Sequence, residues 1–129
     1  MEQTGAKGKS VLVVEDEPGI AMVCLRTLSA EGFQVDIAVN GEIALEMWRR
    51  KIYVLCISDI RTPRMNGIEL FRQLAGEYPE AANKFIFTTG DLLSGSIKTF
   101  LEETGRPFLA KPFSPENLRA IVRTFLVTI

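Results

Sequence analysis

Five short apolar runs, each of strand length and each followed by a longer stretch of helical period, constrain this chain more than any other feature. The runs are Val11 to Val14, Phe33 to Ala38, Tyr53 to Ser58, Phe85 to Thr89 and Pro107 to Ala110. Apolar residues at successive positions suit strands covered on both faces, because a sheet with one wet face would alternate. Between the runs, Pro18 can open a first helix through Ala30, stopped by Gly32, and Gly41 to Lys51 sets Ile43, Ala44, Met47 and Trp48 at helical spacing. Asn66 is placed to cap a third helix carrying Ile68, Leu70, Phe71 and Leu74. Ser94 to Glu103 supplies a fourth, and Ser114 with Pro115 opens a fifth.

A strand followed by a helix, repeated with right-handed crossovers, predicts an α/β fold: an open, doubly wound five-stranded parallel sheet, (βα)5, with the flavodoxin-like strand order 2-1-3-4-5. At 129 residues and 47% hydrophobic content, one domain with its own core is expected. Residues 1–9 are predicted to be a flexible tail and residues 10–127 the folded unit. With 15 Lys plus Arg against 16 Asp plus Glu, the overall charge offers no field for nucleic acid or anionic membrane. No apolar run approaches the roughly 18 residues that span a bilayer, and MEQTGAKGKS lacks a signal peptide's apolar stretch, so a cytoplasmic location is expected. Cys24 and Cys56 lie within apolar segments without metal-site or redox spacing and read as core. The absence of histidine removes zinc–histidine sites, Ser-His and Cys-His catalysis, and any phosphohistidine on this chain. Chemistry must rest on carboxylates, Lys, Thr or Ser.

Doubly wound sheets bind ligands beyond the carboxyl ends of their strands, near the point where strand order reverses. The first strand runs into Glu15-Asp16-Glu17 and the third ends in Ser58-Asp59, so parallel alignment brings Asp59 beside Asp16. Carboxylates gathered without a cation repel one another; Mg²⁺, which prefers oxygen ligands and keeps several waters, would relieve that repulsion and neutralise charge on an incoming phosphoryl group. Asp59 is then the candidate nucleophile, forming an acyl phosphate. The fourth strand ends in Thr88-Thr89-Gly90-Asp91 and Lys111-Pro112 follows the fifth, adding a hydroxyl and an ammonium to the same rim.

The pieces VLVVEDEP, SDIRTPRMNGIEL, TTGD and FLAKPF, in this order and spacing from Ser10 to about Leu126, resemble the receiver domain of response regulators and hybrid histidine kinases, the CheY-like domain of two-component phosphorelay signalling. The resemblance implies phosphorylation of Asp59, metal coordination by Glu15, Asp16, Asp59 and the backbone carbonyl of Arg61, and contact of Lys111 with the phosphoryl group. It implies Thr89 rather than Thr88 as the switch hydroxyl, Phe108 as the switch aromatic, and a cis Lys111-Pro112 bond. The expected donor is a histidine kinase or histidine phosphotransfer protein. The expected output is a protein contact through the face formed by helix four, strand five and helix five, where Arg119 and Arg123 lie on helix five, or else a phosphate relay or an effector domain outside this chain. No catalysis beyond self-phosphorylation and autodephosphorylation is expected, and no direct nucleic-acid contact.

Some positions depart from the family's commonest pattern. Arg106-Pro107 replaces an acidic residue found two before the switch aromatic in many transcription factors, which puts the salt-bridged dimer of that subgroup in doubt. Phe108 lacks a tyrosine hydroxyl and would report by packing. Arg61 and Asp91 can flank the phosphoryl group and are candidates for setting its lifetime. The Thr-Gly-Asp turn and Glu102-Glu103-Thr104-Gly105 resemble receivers attached to hybrid histidine kinases. A flavin carrier on the same sheet is disfavoured, because Glu15-Asp16-Glu17 would repel the flavin phosphate, and an aspartyl-phosphate phosphatase needs an acid where Arg61 stands. The alternative reading is a degenerate receiver that docks proteins without phosphorylation; the intact Glu15, Asp16, Asp59, Thr89 and Lys111 argue against it.

Overall fold

The computed structural model of the protein describes residues 8–91 and 94–128. Its elements alternate as expected: β1 (Ser10–Val14), α1 (Pro18–Ala30), β2 (Gln34–Ala38), α2 (Gly41–Arg50), β3 (Leu55–Asp59), α3 (Gly67–Glu77), β4 (Phe85–Thr89), α4 (Gly95–Thr104), β5 (Phe108–Ala110) and α5 (Pro115–Thr128). All strand pairs are parallel, in the order β2-β1-β3-β4-β5. Of the expected tail, residues 1–7 lie outside the described residues; the Gly8 amide donates to the Gly32 carbonyl and the Gln34 amide to the Lys9 carbonyl.

The helix starts follow their sequence signals. The Asn40 side chain accepts from the Ile43 amide at 2.9 Å, and Asn66 and Glu69 form a reciprocal capping box at α3. Ser114 and Asn117 exchange side-chain and backbone bonds in the same way at α5. Gly105, at φ 67°, ends α4 in the left-handed conformation that glycine adopts without a Cβ penalty.

Period-two alternation in the central strands divides the core in two. Leu12 and Val14 face the side covered by α2, α3 and α4, where Trp48, Leu70, Phe71, Leu74 and Phe100 pack. Val11 and Val13 face α1 and α5, meeting Cys24, Leu28, Leu118 and Val122. Phe71 centres the aromatic part of the first layer, with edge contacts to Phe85, Phe87 and Phe100 at centroid separations of 5.2, 5.7 and 5.5 Å. Both cysteines are buried and free; burial pushes the Cys24 thiol up to about 12 and Cys56 higher still, so both behave as core residues.

Several boundaries differ from expectation by one or two residues: β1 starts at Ser10, not Val11, β3 runs on through Asp59, α2 ends at Arg50, and α4 spans Gly95–Thr104. β3 starts at Leu55, not Tyr53; the Tyr53 ring stacks on Trp48 and its hydroxyl donates to Asp36 at 2.7 Å. β2 and β5 each begin one residue later than the apolar runs. A 3-10 turn over Pro79–Asn83, unforeseen from the sequence, packs against α3 and buries Ala81.

Candidate functional site

The sheet register fixes which residues can meet. Val14 is level with Ser58, Asp59 with Thr88, and Thr89 with Ala110, so Glu15, Asp59, Thr89 and Lys111 leave neighbouring strands at nearly one height. Asp59 is thus nearer in register to Glu15 than to Asp16, one residue closer to the strand than the sequence pattern suggested. Even so, one carboxylate oxygen from each of Glu15, Asp16 and Asp59 lies within 4.8 Å of the others. Glu15 and Asp59 are buried and Asp16 is exposed.

The β5–α5 connection brings Lys111 into this cluster. Its Nζ lies 2.8 Å from Asp59 Oδ2, 3.0 Å from Glu15 Oε1 and 3.6 Å from Glu17 Oε1. The Lys111-Pro112 peptide bond is cis. Burial works against the ammonium, but the hydrogen bonds and charges of Asp59 and Glu15 outweigh it, and its pKa is raised overall. Glu15 is likewise pushed up, mainly by burial, with the Lys111 hydrogen bond opposing and the Asp59 charge adding. Two buried carboxylates around one ammonium leave negative charge uncompensated. The donor set is all oxygen, with Asp16 open to water that could complete a coordination shell, and this suits a hard divalent cation such as Mg²⁺.

The backbone around Asp59 is held by close contacts. A Cβ on Gly67 would stand 2.6 Å from the Asp59 carbonyl oxygen and 2.9 Å from Ile60 Cα, so the start of α3 can seat against the end of β3 only with glycine there. The Gly67 amide donates to the Ile60 carbonyl at 2.9 Å. In the intervening turn, the Thr62 hydroxyl donates to the Met65 carbonyl at 2.9 Å. The Arg61 amide donates to Asp59 Oδ1 at 3.2 Å, while its guanidinium crosses to the carboxylate of Asp91 after β4.

Of the remaining residues singled out by sequence, Thr89 is buried and its hydroxyl accepts from the Asp91 amide at 3.0 Å. Phe108 stands apart from the acidic cluster: the residue is 43% exposed and borders an apolar groove of about 450 Å³ with Lys98, Leu101, Glu102, Gly105 and Arg106. Arg106 donates to the Ala82 carbonyl at 3.1 Å, and among the described residues it makes no ion pair. Arg123 pairs with Glu31, the residue just after α1, while Arg119 reaches Glu116 on its own helix. Two features escaped the sequence reading: Lys111 serves Glu15 as well as Asp59, and Arg61 is joined to Asp91. Each depends on side-chain reach across a sheet, for which sequence spacing carries no signal.

The chain is similar to several known proteins in sequence and in fold. The chain is 34% identical over 118 residues to the transcriptional regulatory protein CreB of Escherichia coli, covering 92% of this chain and 51% of CreB. It is 32% identical over 117 residues to the aerobic respiration control sensor protein ArcB of the same organism, covering 90% of this chain and 15% of ArcB. The chain therefore spans about half, or far less, of the length of these relatives. Among solved structures, the receiver domain of sensor histidine kinase PA1611 from Pseudomonas aeruginosa, with magnesium coordinated in its active-site cleft, matches at 26% identity with TM-score 0.82, covering 93% of this chain and 98% of that one. Chemotaxis protein CheY4 of Vibrio cholerae matches at 26% identity with TM-score 0.81, covering 92% and 98%. The response regulator receiver domain family itself matches residues 11–123, nearly the whole described sheet and its helices, and with the strand order and acidic cluster already in hand the chain belongs to that family of two-component signalling domains.

Proposed function

We propose that this receiver domain accepts a phosphoryl group on Asp59 from the phosphohistidine of a histidine kinase or phosphotransfer protein. The observation that carries the reading is the buried Asp59 carboxylate, 2.8 Å from Lys111 and within 4.8 Å of Glu15 and Asp16. In the transfer, an Asp59 carboxylate oxygen forms a bond to phosphorus as the P–N bond breaks, and that bond's electron pair stays on the donor imidazole. Lys111 holds Asp59 in place beforehand and afterwards contacts a phosphoryl oxygen. Thr89 supplies a hydroxyl donor to another oxygen. Glu15, Asp16, Asp59 and the Arg61 carbonyl would hold Mg²⁺, which would neutralise charge on the phosphoryl oxygens. The magnesium in the cleft of the PA1611 receiver supports that assignment.

The signal then leaves through the face of α4, β5 and α5. Phosphoryl contacts with Thr89 draw its side chain, and Phe108, now half-exposed beside an apolar groove, follows by packing. A downstream protein reads the changed face.

The test is the intact mass of the chain after incubation with acetyl phosphate, with Mg²⁺ or with chelator. One Mg²⁺-dependent phosphoryl addition is expected, absent in Asp59→Asn, which is nearly isosteric and should keep the fold. Persistent labelling of Asp59→Asn would reject Asp59 as the acceptor.

A further inference from the structure

Arg61 and Asp91 sit in the loops after β3 and β4, and their side chains form an ion pair between those loops. Each is also tied by its backbone to a side chain of the proposed transfer site. The Arg61 amide donates to Asp59 Oδ1 at 3.2 Å, and the Asp91 amide donates to the Thr89 hydroxyl at 3.0 Å. The pair therefore joins the acceptor's loop to the switch hydroxyl's loop. It is also the weak kind of ion pair, because the side chains are 64% and 40% exposed. Exposed pairs contribute little, since water screens them and holding two side chains costs entropy.

We propose that Asp91 is a positioning residue that holds Arg61 in the resting state and hands its guanidinium to the phosphoryl group once Asp59 is modified. This rests on the reading of Asp59 as acceptor. A phosphoryl group carries nearly two negative charges and three acceptor oxygens, against one charge on Asp91. It arrives on the carboxylate that the Arg61 amide already touches, whereas Asp91 lies 30 residues away and is reached only by side chains. A planar guanidinium binds phosphoryl oxygens in a fork, so the exchange favours the phosphorylated state. Release of Asp91 also cuts the tie between the two loops in the same step that recruits Thr89. Charge at position 91 thereby sets the affinity of the activated state through Arg61, in addition to its direct repulsion of the phosphoryl group.

The two routes separate in a double-mutant cycle. The probe is Mg²⁺ with beryllofluoride, a phosphoryl mimic, and the readout is its dissociation constant by calorimetry. Arg61→Ala keeps the backbone carbonyl assigned to the metal and removes only the guanidinium. Hand-over predicts that Asp91→Ala tightens binding about two- to fivefold, the range set by losing a competing exposed pair. Arg61→Ala weakens binding about tenfold or more, as expected for a lost charge-assisted hydrogen bond. In the Arg61→Ala background, the Asp91→Ala gain should shrink. Simple repulsion predicts the reverse, because an Asp91 carboxylate stripped of its cation repels the mimic more strongly, and the gain would be equal or larger. An equal or larger gain, or no gain in the wild-type background, overturns the proposal. Asp91→Asn, which keeps the shape of the side chain, repeats the measurement should Asp91→Ala disturb the loop. Failure of the wild-type protein to bind the mimic at all would reject the acceptor reading of Asp59 and hand-over with it, a result distinct from wild-type binding without the predicted coupling.

Discussion

Lys111 holds two buried carboxylates at once, 2.8 Å from Asp59 and 3.0 Å from Glu15, and that double duty separates its roles in holding and in signalling. Lys111→Ala should still take phosphoryl groups from acetyl phosphate, more slowly, because Asp59 remains the nucleophile. It should lose the conformational response, read as phosphorylation-dependent amide shifts around Phe108; a full response in this variant would remove Lys111 from the switch. Glycine chemistry gives a sharper contrast within one helix. An alanine Cβ at Gly67 would meet the backbone of Asp59 and Ile60 at 2.6 and 2.9 Å, whereas at Gly76 nothing lies within 4 Å. Gly67→Ala should therefore destabilise the fold by about 1–3 kcal/mol, the usual range for overpacking. Gly76→Ala should stabilise it by about 0.5–1 kcal/mol, through helix propensity and a less free unfolded chain. Urea midpoints of the two variants moving in the same direction would contradict the close seating of α3 on β3.

Elements carry the site by where they end. The apolar runs made the strands legible, because β1, β3 and β4 are buried on both faces and need no polar alternation. Edge strands were harder: β2 is largely half-buried, so the run beginning at Phe33 marked core contact and not strand pairing. Tyr53 misled in the same way, being buried at 2% exposure yet outside β3. The acidic cluster, Thr89 and Lys111 were legible because parallel register converts strand ends into a shared rim. The Arg61 to Asp91 pair was not, because two flexible side chains choose partners that no periodicity encodes. Asn66 was read correctly as a cap, and it shares its box with Glu69 at 2.9 Å in both directions. Asn66→Ala should cost about 0.5–2 kcal/mol in thermal or urea unfolding. Since the two residues act as one unit, Asn66→Ala with Glu69→Ala should cost less than the sum of the single changes. Strict additivity would mean the box contributes nothing as a unit.

At the scale of the whole molecule, folding itself assembles the proposed Mg²⁺ ligands. Glu15 and Asp16 follow β1 while Asp59 ends β3, and only sheet pairing brings their oxygens within 4.8 Å. The unfolded chain has no such site, so Mg²⁺ binds the folded state and shifts the unfolding equilibrium by mass action. The repulsion that the cation relieves among the carboxylates is already contained in its dissociation constant, so mass action gives the whole effect. At a free Mg²⁺ concentration of one hundred times the dissociation constant, the expected stabilisation is about 2.7 kcal/mol, a rise of about 10 °C in Tm. Chelator should reverse it. Asp16→Asn should reduce the rise while leaving the metal-free Tm nearly unchanged, because Asp16 is exposed and among the described residues makes no ion pair or side-chain hydrogen bond that would be lost. The control is NaCl at matched ionic strength, which screens exposed charge but cannot bridge three carboxylates. If NaCl reproduced the rise, or Asp16→Asn kept it whole, stabilisation would come from general screening, and the convergence of Glu15, Asp16 and Asp59 would not be a cation site.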